Sequence, residues 1–316
     1  MTVFSLAIVI VTYNSADVIG ACLQALAPVE DLELEIIVVD NASADDTADF
    51  VRLNYPEVRL IQNSENVGFA KAVNLGASMS GSDNLALVNP DAIVSSTALR
   101  QLLKIQDSRA TPSIIAPRII QPQGRLLISS GGHFPTVWRM LCHYFAISRI
   151  IDSPRFEGHY LLEHQLDALE SVDWVTGAVW IIPTAQWRRL NGLTERWFMY
   201  AEDVEFCWRA KNNGLDVLMA RDIAATHLVG GSSGHLRSTR SDWIVNLFDF
   251  YCSSVTSNVF ARVAWKMVVC SGLMARSGAY LIKGMAVRKE SDSYDWSYES
   301  RRFAKFSVSL AKAKSK

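Results

Sequence analysis

Residues 6–13, LAIVIVTY, and residues 35–40, EIIVVD, decide the fold. Both runs are β-branched and almost continuously apolar, and between them Val18 to Leu26 carries helical spacing. A strand that is apolar at every position has no solvent face, so it belongs to a parallel sheet covered on both sides. The opening therefore reads β-α-β. A third run, Val58 to Gln62, precedes a helical segment over Ala70–Met79, and a fourth, Leu85 to Val88, ends in Asn89-Pro90-Asp91. The alternation continues to about residue 105, which predicts an open α/β nucleotide-binding half. Residues 111–172 are less regular, with Pro112, Pro117, Pro122 and Pro135 and the Gly131-Gly132 pair. WVTGAVWII at 174–182 reads as a central strand, Ala185–Leu190 as a helix, and Leu215–Ala220 as a late strand.

At 316 residues with 49% hydrophobic composition, the chain can bury a sizeable core. Its net charge of −1 hides an uneven distribution: residues 236–316 carry 14 Lys/Arg against 6 Asp/Glu, and the remainder 17 against 26. An acidic body with a basic tail points the tail at something anionic. After Gly230-Gly231-Ser232-Ser233-Gly234 the composition changes, so the expected domains are 1–235 and a helical extension, 236–316. On a helix, Arg262, Lys266, Arg276, Lys283 and Arg288 share one arc, and the apolar residues lie mostly elsewhere. That is a basic amphipathic segment; its charges are too frequent for a membrane span. Gly272, Gly278 and Gly284 argue against one unbroken helix. The alternatives are peripheral membrane contact and a docked helix with a solvated basic face. The five cysteines form no CxxC pair, which excludes a disulfide framework and a zinc site as readings and suits a reducing cytoplasm.

Open parallel sheets bind ligands at the carboxyl ends of their strands, and here each end carries polar groups. Strand one ends in Thr12-Tyr13-Asn14, strand two in Asp40-Asn41, and strand four in Asn89-Pro90-Asp91. No GxGxxG follows the first strand and there is no P-loop, which argues against NAD and against a triphosphate in a glycine loop. A pyrimidine offers an imide N–H edge and a flat face, needs that Asp40 and Tyr13 match; Asp40 in DNASADDT also suits a helix cap. Asp91 could hold Mg2+ or Mn2+, with a diphosphate supplying further oxygens and His227 completing the shell. A lone histidine also serves structural ends. In WFMYAEDVEFCWR, Trp197–Arg209, Glu202 and Asp203 open an amphipathic helix after an aromatic, strand-like run. Acids in a first turn complement the helix dipole, and they also supply a general base. The helix is signalled by the Glu205/Arg209 pair and by Gly214 as its stop.

The set IVIVTYNS, IIVVDNASADD, NVGFAKAVNLG, LVNPDAIV, WVTGAVWII, LTERWFMYAEDVEFCWR and ATHLVGGSS resembles the inverting family 2 glycosyltransferases of the GT-A fold, most of all bacterial rhamnosyltransferase-like members. The resemblance covers residues 6–235, and the tail is only loosely similar. It implies an α/β GT-A fold with a mostly parallel central sheet. Position by position, Thr12, Tyr13 and Asp40, with Asn14 beside them, fall where such enzymes grip a pyrimidine. Asn66, Gly68 and Lys71 fall in the segment lining the nucleotide. Asp91 falls on the last acid of the DxD-type metal site, whose first acid is here Asn89. Asp203 falls on the general base, with Glu202 adjacent, and Trp174, Gly177 and Tyr200 fall around the sugar and acceptor pocket.

The implied reaction is a single displacement with inversion. Its donor is a dTDP- or UDP-sugar, dTDP-L-rhamnose first. Its acceptor is a polyprenyl-diphosphate-linked sugar, in O-antigen or other cell-surface polysaccharide synthesis at the inner membrane face. A non-catalytic nucleotide-sugar-binding subunit is the alternative from another class. Nucleic acid is not an expected partner, since the tail lysines accompany no nucleic-acid-binding fold.

Overall fold

The computed structural model describes residues 3–120, 128–227, 240–286 and 295–314. The chain divides into two compact units, residues 1–132 with 161–237, and residues 133–160 with 238–316. The second unit therefore includes residues 133–160, which the sequence reading left with the first domain; the boundary expected at 235 lies outside the described residues.

In the first unit the chain runs β1 (Phe4–Thr12), α1 (Ala16–Ala25), β2 (Leu32–Asp40), α2 (Thr47–Asn54), β3 (Arg59–Gln62), α3 (Phe69–Ser78), β4 (Asn84–Val88), β5 (Ala92–Ile93), α4 (Ser96–Asp107), β6 (Ser113–Ile120) and β7 (Ile128–Gly132). The second unit contributes α5 (Val137–Tyr144) and α6 (Ile147–Ile150) before the chain returns through β8 (Tyr160–Leu162), β9 (Leu169–Ser171), β10 (Trp174–Val175), β11 (Val179–Pro183), α7 (Thr184–Arg189), α8 (Glu202–Asn212) and β12 (Asp216–His227). A nine-stranded sheet has the order β3-β2-β1-β4-β11-β6-β12-β5, with β9 paired to β12; β10-β7-β8 form a smaller sheet. The first four strands are parallel, as their apolar runs predict. β11 is antiparallel to both β4 and β6, so the sheet is mixed.

The alternation of side chains explains why β1 and β2 read as continuous hydrophobic runs. Leu6, Ile8, Ile10 and Val38 pack on one face with Leu99 and Leu102 of α4, and Ile37 and Val39 pack on the other with Ala72 of α3. Strand order places the carboxyl ends of β2, β1 and β4 side by side, and the chain reverses its direction of winding there.

Two expectations need correction. WVTGAVWII is two strands in different sheets, β10 and β11, because Thr176-Gly177-Ala178 turns the chain between them. The aromatic run Trp197–Tyr200 is a bend, not a strand: Tyr200 and Ala201 have φ of 74° and 76°, which no strand accommodates.

In the second unit α9 (Asp242–Phe250) continues into a π-helical turn at Tyr251–Val255, followed by α10 (Val259–Ala286) and α11 (Trp296–Lys312). α10 is unbroken across 28 residues despite its three glycines. Each glycine in a helix costs about 1 kcal/mol relative to alanine, and at Gly272 the return is close packing: a Cβ there would sit 2.4 Å from the Tyr144 Cβ.

The predicted basic arc is also not a free outer face. Arg262 donates to the Cys252 and Thr256 carbonyls, and Lys266 donates to the Ala313 carbonyl at 2.6 Å. The Arg276 guanidinium lies 5.0 Å from the Tyr144 ring centroid and donates to the His143 carbonyl, and Lys283 lies over the Trp296 ring. Arg288 lies outside the described residues. Cations beside aromatic rings and carbonyls are held by packing, so helical arc alone did not report which side faced water.

Candidate active site

Register brings the first cluster together. Thr12 and Asp40 are paired residues at the ends of adjacent parallel strands, and both are buried. The Thr12 hydroxyl donates to Asp40 Oδ1 at 2.9 Å; Ser43 adds its hydroxyl to the same oxygen at 2.5 Å and its N–H to Oδ2 at 3.1 Å. The carboxylate is thus fixed by three donors. Asn14 has φ 50° and clamps the neighbouring loop, accepting from the Ala44 N–H at 2.8 Å while its own N–H donates to Ser43 Oγ at 2.9 Å. Tyr13 stays exposed beside this carboxylate loop. Ser43 was not singled out in the sequence, although its position three residues after Asp40 in DNAS is a signal of a turn that folds back on an acid.

The segment before α3 is tied to the bend at 197–201. Asn66 Oδ1 accepts from the Gly68 N–H, Asn41 donates to the Gly68 carbonyl, and the Phe69 N–H donates to the Phe198 carbonyl at 3.0 Å. Gly68 has φ 88° and ψ 170°, a conformation open essentially only to glycine. A Cβ there would lie 2.6 Å from the Phe198 carbonyl oxygen. Gly68→Ala is expected to lower stability by about 1–3 kcal/mol from backbone strain alone, measured by chemical denaturation. Gly81→Ala, where a Cβ meets open space, is the control, and equal midpoints for the two variants would contradict this account. Lys71, one turn into α3, is exposed and makes no hydrogen bond or ion pair among the described residues.

Asn89, Asp91 and His227 converge although 136 residues separate Asp91 from His227. β5 pairs antiparallel with β12, setting His227 opposite Ala92 and next to Asp91. His227 Nε2 lies 3.0 Å from Asp91 Oδ1 and 3.4 Å from Asn89 Nδ2. Among the described residues no third His, Cys, Asp or Glu joins them. Cys22 donates to the Asn89 carbonyl, and burial, with the Asp91 charge second, pushes its thiol up to about 12, so it stays protonated. One carboxylate and one imidazole side by side fit a Mn2+ or Mg2+ ion that takes its other ligands from a diphosphate and water.

Glu202 and Asp203 open α8. The two consecutive left-handed residues before them cost of order 1–3 kcal/mol each, and they turn the chain so that both acids face inward. Asp203 accepts from the Gly177 N–H (Oδ2, 3.1 Å) and the Val204 N–H (Oδ1, 2.8 Å). Burial raises its pKa, and these amides oppose the rise. Glu202 is buried, its Oε2 has no hydrogen-bond partner, and burial with the Asp203 charge pushes it up to about 8. The amide donors go to one acid and none is seen on the other's Oε2, so of the two Asp203 is the better site for the charge and Glu202 for the proton. Of the remaining expected residues, Trp174 is buried in β10 and pairs with Gly132, and Tyr200 is exposed in the bend. α8 is held behind them by Phe206 stacked on Trp180 at 5.5 Å and by Arg209, which pairs with Glu205 within the helix and donates to the Gly192 carbonyl at 2.8 Å.

The fold and the arrangement of polar strand ends define a GT-A glycosyltransferase. Residues 7–154, just under half of the chain, match the family model Glycosyl transferase family 2, which supports a family 2 glycosyltransferase. It is 26% identical over 226 residues to the Low-salt glycan biosynthesis hexosyltransferase Agl10 of Haloferax volcanii, covering 70% of this chain and 66% of that protein's length. It is 24% identical over 288 residues to the N-acetylglucosaminyl-diphospho-decaprenol L-rhamnosyltransferase of Mycobacterium tuberculosis, covering 86% of this chain and 93% of that one. Among solved structures, the mannosyltransferase PcManGT of Pyrobaculum calidifontis, in complex with GDP-Man and Mn2+, superposes with a TM-score of 0.59 at 16% identity, covering 97% of this chain and 87% of that one. S. aureus TarS 1-349 in complex with UDP-GlcNAc gives 0.52 at 15%, covering 98% and 91%. The protein is a glycosyltransferase.

Proposed function

We propose that the protein transfers L-rhamnose from dTDP-L-rhamnose, with inversion, to a polyprenyl-diphosphate-linked sugar in cell-surface polysaccharide synthesis of the O-antigen kind. The observation that carries the reaction type is the buried pair at the start of α8, Asp203 accepting two backbone amides next to Glu202, whose Oε2 has no hydrogen-bond partner. Asp203 takes the proton from the acceptor hydroxyl as that oxygen bonds to the anomeric carbon, and the bond from that carbon to the diphosphate oxygen breaks. The departing nucleoside diphosphate takes the bonding electrons. Asp40 and Thr12, with the exposed face of Tyr13 and with Asn14, hold the pyrimidine; Asn66, Gly68 and Lys71 line the rest of the nucleotide. Gly177, Trp174 and Tyr200 border the sugar and acceptor. The Mycobacterium tuberculosis relative, named for rhamnosyl transfer to a diphospho-decaprenol carrier, supports the donor and acceptor. UDP-glucose, UDP-galactose or another dTDP-sugar is the nearest alternative, because donor choice depends on pocket shape. A lipid-linked acceptor makes the working location the inner face of the cell membrane, with the helical unit as the peripheral contact.

Asp91 and His227, with Asn89 beside them, would hold Mg2+ or Mn2+, which supplies charge to offset the leaving diphosphate. The Mn2+ in the PcManGT complex supports this. Asp91→Asn is expected to raise the Mn2+ needed for half-maximal transfer by at least about tenfold, and an unchanged requirement would remove Asp91 from the metal site. The identity of the donor is tested by incubating the protein with dTDP-rhamnose, UDP-glucose, UDP-galactose and GDP-mannose, Mn2+ and a synthetic polyprenyl-diphosphate acceptor. Fastest transfer from dTDP-rhamnose is expected, and no transfer or hydrolysis of any pyrimidine donor would sink the proposal.

A further inference from the structure

The four charged residues of α10 are Arg262, Lys266, Arg276 and Lys283, and each is engaged by rings or carbonyls of the second unit. Trp265, Val269, Gly272, Leu273 and Ser277 are buried on the same side. The opposite side presents Phe260, Val263, Met267, Met274, Ile282 and Met285, each 50–86% exposed. At 100° per residue these six fall within one arc of about 100°, and no charged residue lies in that arc. Over 28 residues the stripe is about 42 Å long. A soluble helix normally turns its apolar side inward, and an apolar surface of this length without charge marks an interaction site.

The neighbouring helix indicates what covers it. α11 lies along α10, with Ser277 bonded to Ser300, Ser307 to Cys270 and Lys266 to Ala313, all at α10 positions next to the exposed arc. The outward side of α11 carries Arg301, Lys305 and Lys312, spaced four and seven residues apart. All three are exposed and form no ion pair among the described residues, whereas the one acid inside the helix, Glu299, is buried and paired with Arg302. A long uncharged apolar row beside a row of unpaired cations complements acyl chains below and anionic headgroups above. A second copy of this chain would bring only a second row of cations, which disfavours a homodimer through this face.

We infer that α10 and α11 together form a monotopic membrane-docking surface for an anionic phospholipid bilayer, with the α10 apolar stripe entering the headgroup–acyl boundary and the α11 cations at the phosphates. The inference deepens the proposed use of a lipid-linked acceptor and reverses the sequence expectation, since the α10 cations are turned away from this surface.

The test uses the full chain and vesicles that contain no acceptor, so its outcome is independent of whether sugar is transferred. Co-sedimentation is measured with vesicles of phosphatidylcholine alone and with added phosphatidylglycerol. Binding to the anionic vesicles is expected, falling with salt. Arg301→Gln/Lys305→Gln/Lys312→Gln should weaken it about fivefold per cation, or about 150-fold together. Phe260→Ser/Met267→Ser should reduce binding to the same vesicles, while donor-induced melting shifts in both variants report that the fold and the nucleotide site are intact. Equal binding to neutral and anionic vesicles, or no loss in the cation variant, would overturn the inference. So would a concentration-dependent dimer by sedimentation velocity that the Phe260→Ser/Met267→Ser variant abolishes, since the stripe would then serve a second copy.

Discussion

Asp203→Asn leaves donor binding unchanged and lowers sugar transfer by about 10²–10⁴-fold, the range a positioned general base contributes. Asparagine keeps the shape and one acceptor oxygen, so one of the Gly177 and Val204 amides stays satisfied and α8 keeps its start. What it lacks is the ability to take a proton at neutral pH. Single-turnover transfer, and calorimetry with the nucleoside diphosphate and the nucleotide sugar, separate the two effects. If transfer persists within threefold of the wild type, Asp203 is not the base, and Glu202→Gln measured alongside reports whether the neighbouring acid has that role.

Glu202 is expected to make stability and activity depend on pH in a way Glu202→Gln removes. Its carboxyl has the ordinary value of 4.5 in the unfolded chain and about 8 in the folded one. Between those values the native state holds a proton that the unfolded state has released, so stability is greatest below about 4.5 and is lost as pH rises toward and through 8. At its steepest the slope approaches about 1.4 kcal/mol per pH unit. A glutamine has no proton to lose, and denaturation of Glu202→Gln between pH 5 and about 8.5 should be flatter by that amount. Glu202 is already uncharged where Asp203 takes up its proton, so Glu202→Gln should leave the acidic limb of the transfer pH profile in place and remove any change in transfer as Glu202 ionises near 8. Parallel stability curves for the two proteins would place Glu202 in contact with water or a partner it does not show.

Much of the first unit is legible along the chain. The apolar runs of β1, β2 and β4 are long because side chains on both faces are buried, and that requirement is written residue by residue. Glu205, Arg209 and Gly214 likewise announce α8 and its end, at Asn212. The irregular stretch is different. β6 lies between β11 and β12, partners from 60 or more residues further along the chain, and its local sequence carries prolines that hide the pairing. The division of WVTGAVWII between two sheets is invisible to periodicity, because β10 and β11 differ in what they pair with and not in composition.

The functional groups divide in the same way. By itself the sequence determined which acids stand at strand and helix ends, Asp40, Asp91, Glu202 and Asp203, because end positions follow from local chain chemistry. Only the tertiary structure decided what each acid meets: Thr12 and Ser43 for Asp40, His227 for Asp91, the Gly177 amide for Asp203 and no partner for Glu202 Oε2. It also decided that Arg262, Lys266 and Arg276 of α10 face protein and its methionines face out. A helical wheel gives the angle between two residues, but which angle faces water is set by neighbours the wheel does not contain.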